Sequence, residues 1–101
     1  MSTLADWVHP DKETQERAHI SRLRAQHTTT REAVVHLREV EASLTALLSH
    51  TDDSVRIAAA WELRDARDRL EREIGKSDKT EREVAECEQR VIRWRLLRRA
   101  T

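Results

Sequence analysis

The sequence predicts an all-α protein, a helical bundle or antiparallel helical hairpin whose first helix is long and coiled-coil-like. Three observations carry that expectation. One Gly and one Pro in 101 residues leave little from which to build hairpins or irregular loops. Val and Ile occur but never in alternating runs, so no segment has the two-residue period of a strand. A chain that is 38% charged and 38% hydrophobic, rich in Ala, Glu, Leu and Arg, has the composition of long helices and coiled coils. The length allows one domain, residues 10–101, near the lower limit for a self-sufficient core.

Residues 1–9 carry no periodicity and read as a flexible or docking arm. His9-Pro10-Asp11 opens the first helix, expected over about 10–49, because Pro suits the first turn and Asp11 and Glu13 complement its positive end. Spacings of three and four then run through Ile20, Leu23, His27, Thr30, Val34, Leu37, Glu41, Leu44 and Leu48. Seven residues per two turns keeps them on one stripe, the seam of a coiled coil. Three consecutive threonines at 28–30 are poor helix formers, so a break there would give four helices. The unbroken heptad phase favours a continuous helix of about 57 Å, and three helices in all.

Thr51-Asp52-Asp53-Ser54 supplies short polar acceptors to cap a second helix over about 53–74, with Val55, Ala59, Leu63, Ala66, Leu70 and Ile74 on one face. Gly75 is the expected stop. Ser77-Asp78, with Glu81 three residues after Asp78, resembles a capping box and opens a third helix over about 78–99, its stripe Val84, Cys87, Val91 and Trp94. The last two helices would form a hairpin spanning about 33 Å. The Ile20–Leu23 end of the longer first helix would then overhang and need a second chain to cover it. On this reading Ile20, Leu23, His27, Val34, Leu37, Leu44 and Leu48 form a self-association seam, and a homo-oligomer, a dimer, is the expected partner state.

Nineteen basic and nineteen acidic residues cancel, so no global field draws the chain to nucleic acid or an anionic membrane. The longest apolar run, Ile57 to Trp61, is far short of the roughly 20 residues of a membrane span. The N-terminus lacks the basic start and apolar core of a signal peptide. A single cysteine, Cys87, excludes an internal disulfide and fits a reducing, cytoplasmic setting.

Two pairs of apolar residues fall away from the core stripes: Ile57 with Trp61, and Ile92 with Leu96. Each is a candidate partner surface, Trp being enriched at binding hot spots. Arg90, Arg93, Arg95, Arg98 and Arg99 stand in a stretch without an acid from 89 to 101 and are candidate contacts for an anion or nucleic acid. The same helix is acidic at its start, the polarity that the helix dipole favours without any ligand.

Glu16 and His19 have the Glu-x-x-His spacing of helical di-iron sites, but no second such motif completes a centre. No Gly-rich phosphate loop, paired-cysteine site or nucleophile elbow is present. Asp53-Ser-Val-Arg-Ile-Ala-Ala-Ala-Trp-Glu-Leu resembles the second-helix phrase of HEAT-like repeats; no second copy follows at a repeat period, so nothing is carried over from it. The expected function is that of a non-enzymatic helical interaction or assembly protein (an adaptor, regulator or small accessory factor) without a cofactor. Nucleic-acid binding through the C-terminal arginines is the alternative, and metal binding a minor one.

Overall fold

A computed structural model describes residues 10–100, and within them the all-α expectation holds. The elements are two helices, α1 (Pro10–Leu47) and α2 (Asp53–Ala100), with no strand among the described residues. The expected arm at residues 1–9 lies outside the described residues.

α1 is unbroken through Thr28–Thr30. The cost of three threonines is a fraction of a kcal/mol each, on the order of 0.5. Keeping the seam in phase preserves the burial of several apolar side chains, each contributing roughly 1.5–3 kcal/mol. Leu47 ends the helix two residues earlier than the sequence suggests, and its last turn tightens: the amides of Leu48, Ser49 and His50 donate to the carbonyls of Thr45, Ala46 and Leu47 at 3.2, 3.4 and 3.1 Å.

The expectation of three helices is corrected to two. Gly75 does not stop the second helix, and Ser77-Asp78 does not cap a third; both lie within the 48-residue α2. A helix stop at Gly requires left-handed backbone, and Gly75 has no positive φ. The reason is again heptad phase. Ala59, Leu63, Ala66, Leu70, Glu73, Ser77, Thr80, Val84, Cys87, Val91 and Trp94 alternate by fours and threes without interruption, and all are buried or half-buried. Continuing the helix keeps both apolar halves of that stripe in register, against a cost of about 1 kcal/mol for one mid-helix glycine. Lys76 and Glu73 pair across the glycine at 3.1 Å.

The chain divides into two compact units. Unit 1 joins residues 10–27 of α1 to residues 79–100 of α2; its core is Ile20, Leu23, Cys87 and Val91, with Val84 and Trp94 packed against it. The overhang anticipated from a short third helix is therefore absent, because α2 of the same chain covers Ile20 and Leu23. Unit 2, residues 28–78, is an antiparallel hairpin closed by residues 48–52. Ala59, Leu63 and Ala66 are its buried apolar residues. Val34, Leu37, Val40 and Leu44 on α1, and Leu70 and Ile74 on α2, are half-buried.

The start of α2 is built as the sequence indicates. The Asp52 carboxylate accepts from the Ser54 amide at 2.8 Å, and the Asp52 carbonyl accepts from the Arg56 amide at 3.1 Å. His50 adds a brace: its ring Nδ1 accepts from the Asp52 amide at 3.0 Å, and its carbonyl accepts from Arg56 at 2.6 Å. Arg56 also pairs with Asp53. The start of α2 is thus satisfied within residues 50–56.

Candidate interaction surfaces

In unit 1 the seam residues Ile20 and Leu23 are buried against α2 of the same chain, and in unit 2 Val34, Leu37 and Leu44 are half-buried; further candidate surfaces lie on the outward sides of the helices. In unit 2, Ile57 and Trp61 lie one turn apart on α2, 61% and 63% exposed. With Leu63 and Leu70 defined as heptad position a, Ile57 occupies b and Trp61 occupies f, the positions turned farthest from a two-helix seam. The Arg64 guanidinium sits 6.0 Å from the Trp61 ring centroid, at the outer edge of a cation–π contact. Asp65 and Asp68 follow on the same side, exposed and without an ion-pair partner among the described residues.

In unit 1, Ile92 and Leu96 occupy the same b and f positions, 53% and 59% exposed. An open groove beside them is lined by Ser21 and Arg24 of α1 and by Glu88 and Arg95 of α2. Val35 on α1 is a further exposed apolar residue, which its seam neighbour Val34 masks in a reading by periodicity.

The five C-terminal arginines divide into two sets. Arg90 grips Glu16 through Nε at 3.1 Å and a terminal nitrogen at 2.8 Å. Arg95 donates to Glu13 at 2.8 Å, and Arg98 pairs with the other oxygen of the same carboxylate. Arg93 and Arg99 are exposed and make no ion pair with a described residue. The continuous basic surface suggested by the sequence is thus reduced to two outward guanidiniums, the others being committed across the seam.

That Glu13 and Glu16 are the partners of the C-terminal arginines is what sequence reasoning missed. Their signal was present: extending the seam backward from Ile20 by fours and threes reaches Glu16 and then Glu13. Arg95 and then Arg98, by hydrogen bonds and charge, hold the Glu13 carboxyl below its ordinary value against the opposing effect of burial. A hydrogen bond from the Cys87 thiol, followed by Arg90, does the same for Glu16. Burial first, and then the Glu16 carboxylate, pushes the Cys87 thiol up, while Arg90 donates to its sulfur at 3.1 Å. A thiol so held stays protonated at neutral pH and serves as a small apolar core residue.

No family model matches the chain, and no curated protein or solved structure matches it.

The remaining candidates fall in place one by one. Glu16 is occupied by Arg90 and Cys87, so the Glu16–His19 pair has one of its two ligands already engaged. Among the described residues no group of three or more His, Cys, Asp or Glu stands close enough to hold a metal ion. His27, half-buried in the seam of unit 1, meets Glu81 at 3.0 Å, and Arg24 pairs with Glu88. Val34, Leu37 and Leu44 are half-buried along the α1 seam of unit 2. Leu48 falls just beyond the end of α1 and lines a shallow groove with Ala60, Leu63 and Arg67. No described helix is long and apolar enough to cross a membrane.

Proposed function

We propose that this chain is a non-enzymatic helical interaction protein, an adaptor, regulator or assembly component acting in a reducing compartment. One observation carries the reading. Ile57, Trp61, Ile92 and Leu96 stand more than half exposed on the outward side of α2, whose other outward positions are almost entirely charged, polar or small. Each exposed pair is a ready anchor for a partner's apolar surface, and Trp is among the residues that contribute most when such an anchor is covered. The mixed-sign surface and near-zero net charge favour protein contacts over a general attraction to polyanions.

Photo-crosslinking in the cells of origin tests this reading. A benzophenone side chain at Ala58 or at Gln89, both exposed beside the apolar pairs, should yield discrete protein adducts. Absence of any discrete adduct from both positions overturns it.

A second reading rests on Arg93 and Arg99, which point outward in a stretch free of acids. Nucleic-acid binding through them would be weak and steeply salt-dependent, with two phosphates neutralised rather than five. Titration of a labelled oligonucleotide at low salt, repeated with Arg93→Ala/Arg99→Ala, separates it from the first: binding lost in the variant favours this reading, and no binding removes it.

A further inference from the structure

The end of unit 1 combines an open apolar groove with an unbalanced set of cations. Ile20 and Val91 form the buried floor of the groove, and Ile92 on its wall is continued by Leu96 one turn further along α2. Residues 10–24 of α1 and 88–100 of α2 carry nine arginines and lysines against four carboxylates. Three of those carboxylates are engaged by the chain itself: Glu16 by Arg90, Glu88 by Arg24, and Glu13 by Arg17, Arg95 and Arg98 together. The fourth, Asp11, lies in the first turn of α1. One carboxylate thus serves three guanidiniums, while Arg93 and Arg99 make no ion pair with a described residue. The charge left over beside Ile92 and Leu96 is positive. The surface at Ile57 and Trp61 has no such bias, because Glu62, Asp65 and Asp68 share that side with Arg64, Arg69 and Arg72.

We infer that this groove receives an acidic amphipathic helix of a partner protein. The inference rests on the interaction reading above and deepens it by giving the partner's segment a chemistry. Apolar side chains at three- and four-residue spacings cover Ile92 and Leu96 and reach the floor between α1 and α2, as when a helix is laid in a groove. Carboxylates flanking that stripe take up the unmatched charge of Arg17, Arg93, Arg95 and Arg99. A basic segment is turned away by the same residues. A nucleic acid fits less well. It has no apolar stripe to lay over Ile92 and Leu96, and none of the described lining residues is aromatic, so a base finds nothing to stack on. The tryptophan of this region, Trp94, packs against the core instead. The charged flanks set orientation and rate of encounter, and the apolar centre sets lifetime.

The test is fluorescence anisotropy of labelled probe peptides titrated with the full chain. The first probe is a helical peptide of about 18 residues with Leu at heptad positions a and d and with Glu and Ala elsewhere. The second carries Lys in place of every Glu, and the third Ser in place of every Leu. The first should bind, less tightly as salt is raised, and the other two should bind at least about ten-fold more weakly. Ile92→Asp and Arg93→Glu/Arg99→Glu should each lower affinity for the first probe by at least about ten-fold, and Trp61→Asp should leave it unchanged. All these sites are exposed, so far-UV circular dichroism should confirm unchanged helix content. Equal binding of the Lys peptide overturns the proposal, as does binding indifferent to Ile92→Asp or no binding of the first probe into the millimolar range. Tighter binding of a single-stranded oligonucleotide or of phosphatidylserine vesicles, lost in the same variants, also overturns it. Failure of the acidic peptide alongside discrete cellular crosslinks from Gln89 would remove this inference alone and leave the interaction reading standing.

Discussion

Residues 28–78 form a helix pair joined by a short connection, whereas residues 10–27 and 79–100 form a pair whose members are far apart in sequence. In the first, residues 48–52 hold the two helices together covalently, and Asp52 and His50 brace the turn. Its buried residues can then be modest: two alanines and a leucine. In the second, no nearby turn fixes the register. There directional cross-helix contacts surround the apolar core: Glu13 pairs with Arg95 and Arg98, Glu16 with Arg90 and Arg24 with Glu88, and His27 meets Glu81 in a hydrogen bond, whereas one ion pair among the described residues crosses the first pair of helices, Arg67 with Glu41 at 3.6 Å. Chain connectivity can set alignment near a turn, and away from it charged pairs at seam positions take over that role. Exposed ion pairs contribute little stability, typically below about 1 kcal/mol each, so their value here is in alignment.

The contrast can be broken most forcefully in the cores. Leu23→Ala and Leu63→Ala, each at a site no more than 5% exposed, should destabilise by about 2–5 kcal/mol. Hydrogen exchange should place the loss of protection in residues 10–27 and 79–100 for the first variant, and in residues 28–78 for the second. Uniform loss in both would mean that the units unfold together.

Acid should then separate the units by their means of alignment. Glu13 and Glu16 titrate below the ordinary carboxyl value of 4.5 in the folded protein. Their contribution is therefore complete above the unfolded-state value and is lost as pH falls through the lower folded-state values. Between pH 5 and 3, protection in residues 10–27 and 79–100 should fall faster than in residues 28–78. Glu13→Gln/Glu16→Gln should remove that difference by lowering protection already at neutral pH.

Smaller effects sharpen the account of unit 2. Asp52→Ala removes the cap of α2 and should cost about 1 kcal/mol, read as a lower melting temperature. Gly75→Ala should do the reverse. A Cβ there meets nothing within 4 Å and the backbone is helical, so a gain of about 0.5–1 kcal/mol is expected from the melting curve.

Much of this architecture was legible because heptad phase is a long-range signal carried by many residues. It outweighed the threonines at 28–30, and α1 is continuous. The same signal runs unbroken past Gly75, where local stop and cap chemistry pointed the other way. Glu73, Ser77 and Thr80 are polar seam positions, and so they hid the phase from a reading that follows apolar residues alone. A glycine stop is a local preference of about 1 kcal/mol, whereas register binds every seam residue on either side of it. The b/f exposure of Ile57, Trp61, Ile92 and Leu96 followed from spacing. The commitment of Arg90, Arg95 and Arg98 to Glu16 and Glu13 did not, since it depends on which residues of α1 and α2 come level, more than seventy positions apart.

The sole thiol of the chain has a practical consequence. Cys87 is 2% exposed at the centre of one unit, with its proton held by burial and a facing carboxylate. An alkylating reagent can reach it only when residues 10–27 and 79–100 part. The rate of labelling is therefore a built-in clock for that local opening, readable on the unaltered protein by mass spectrometry.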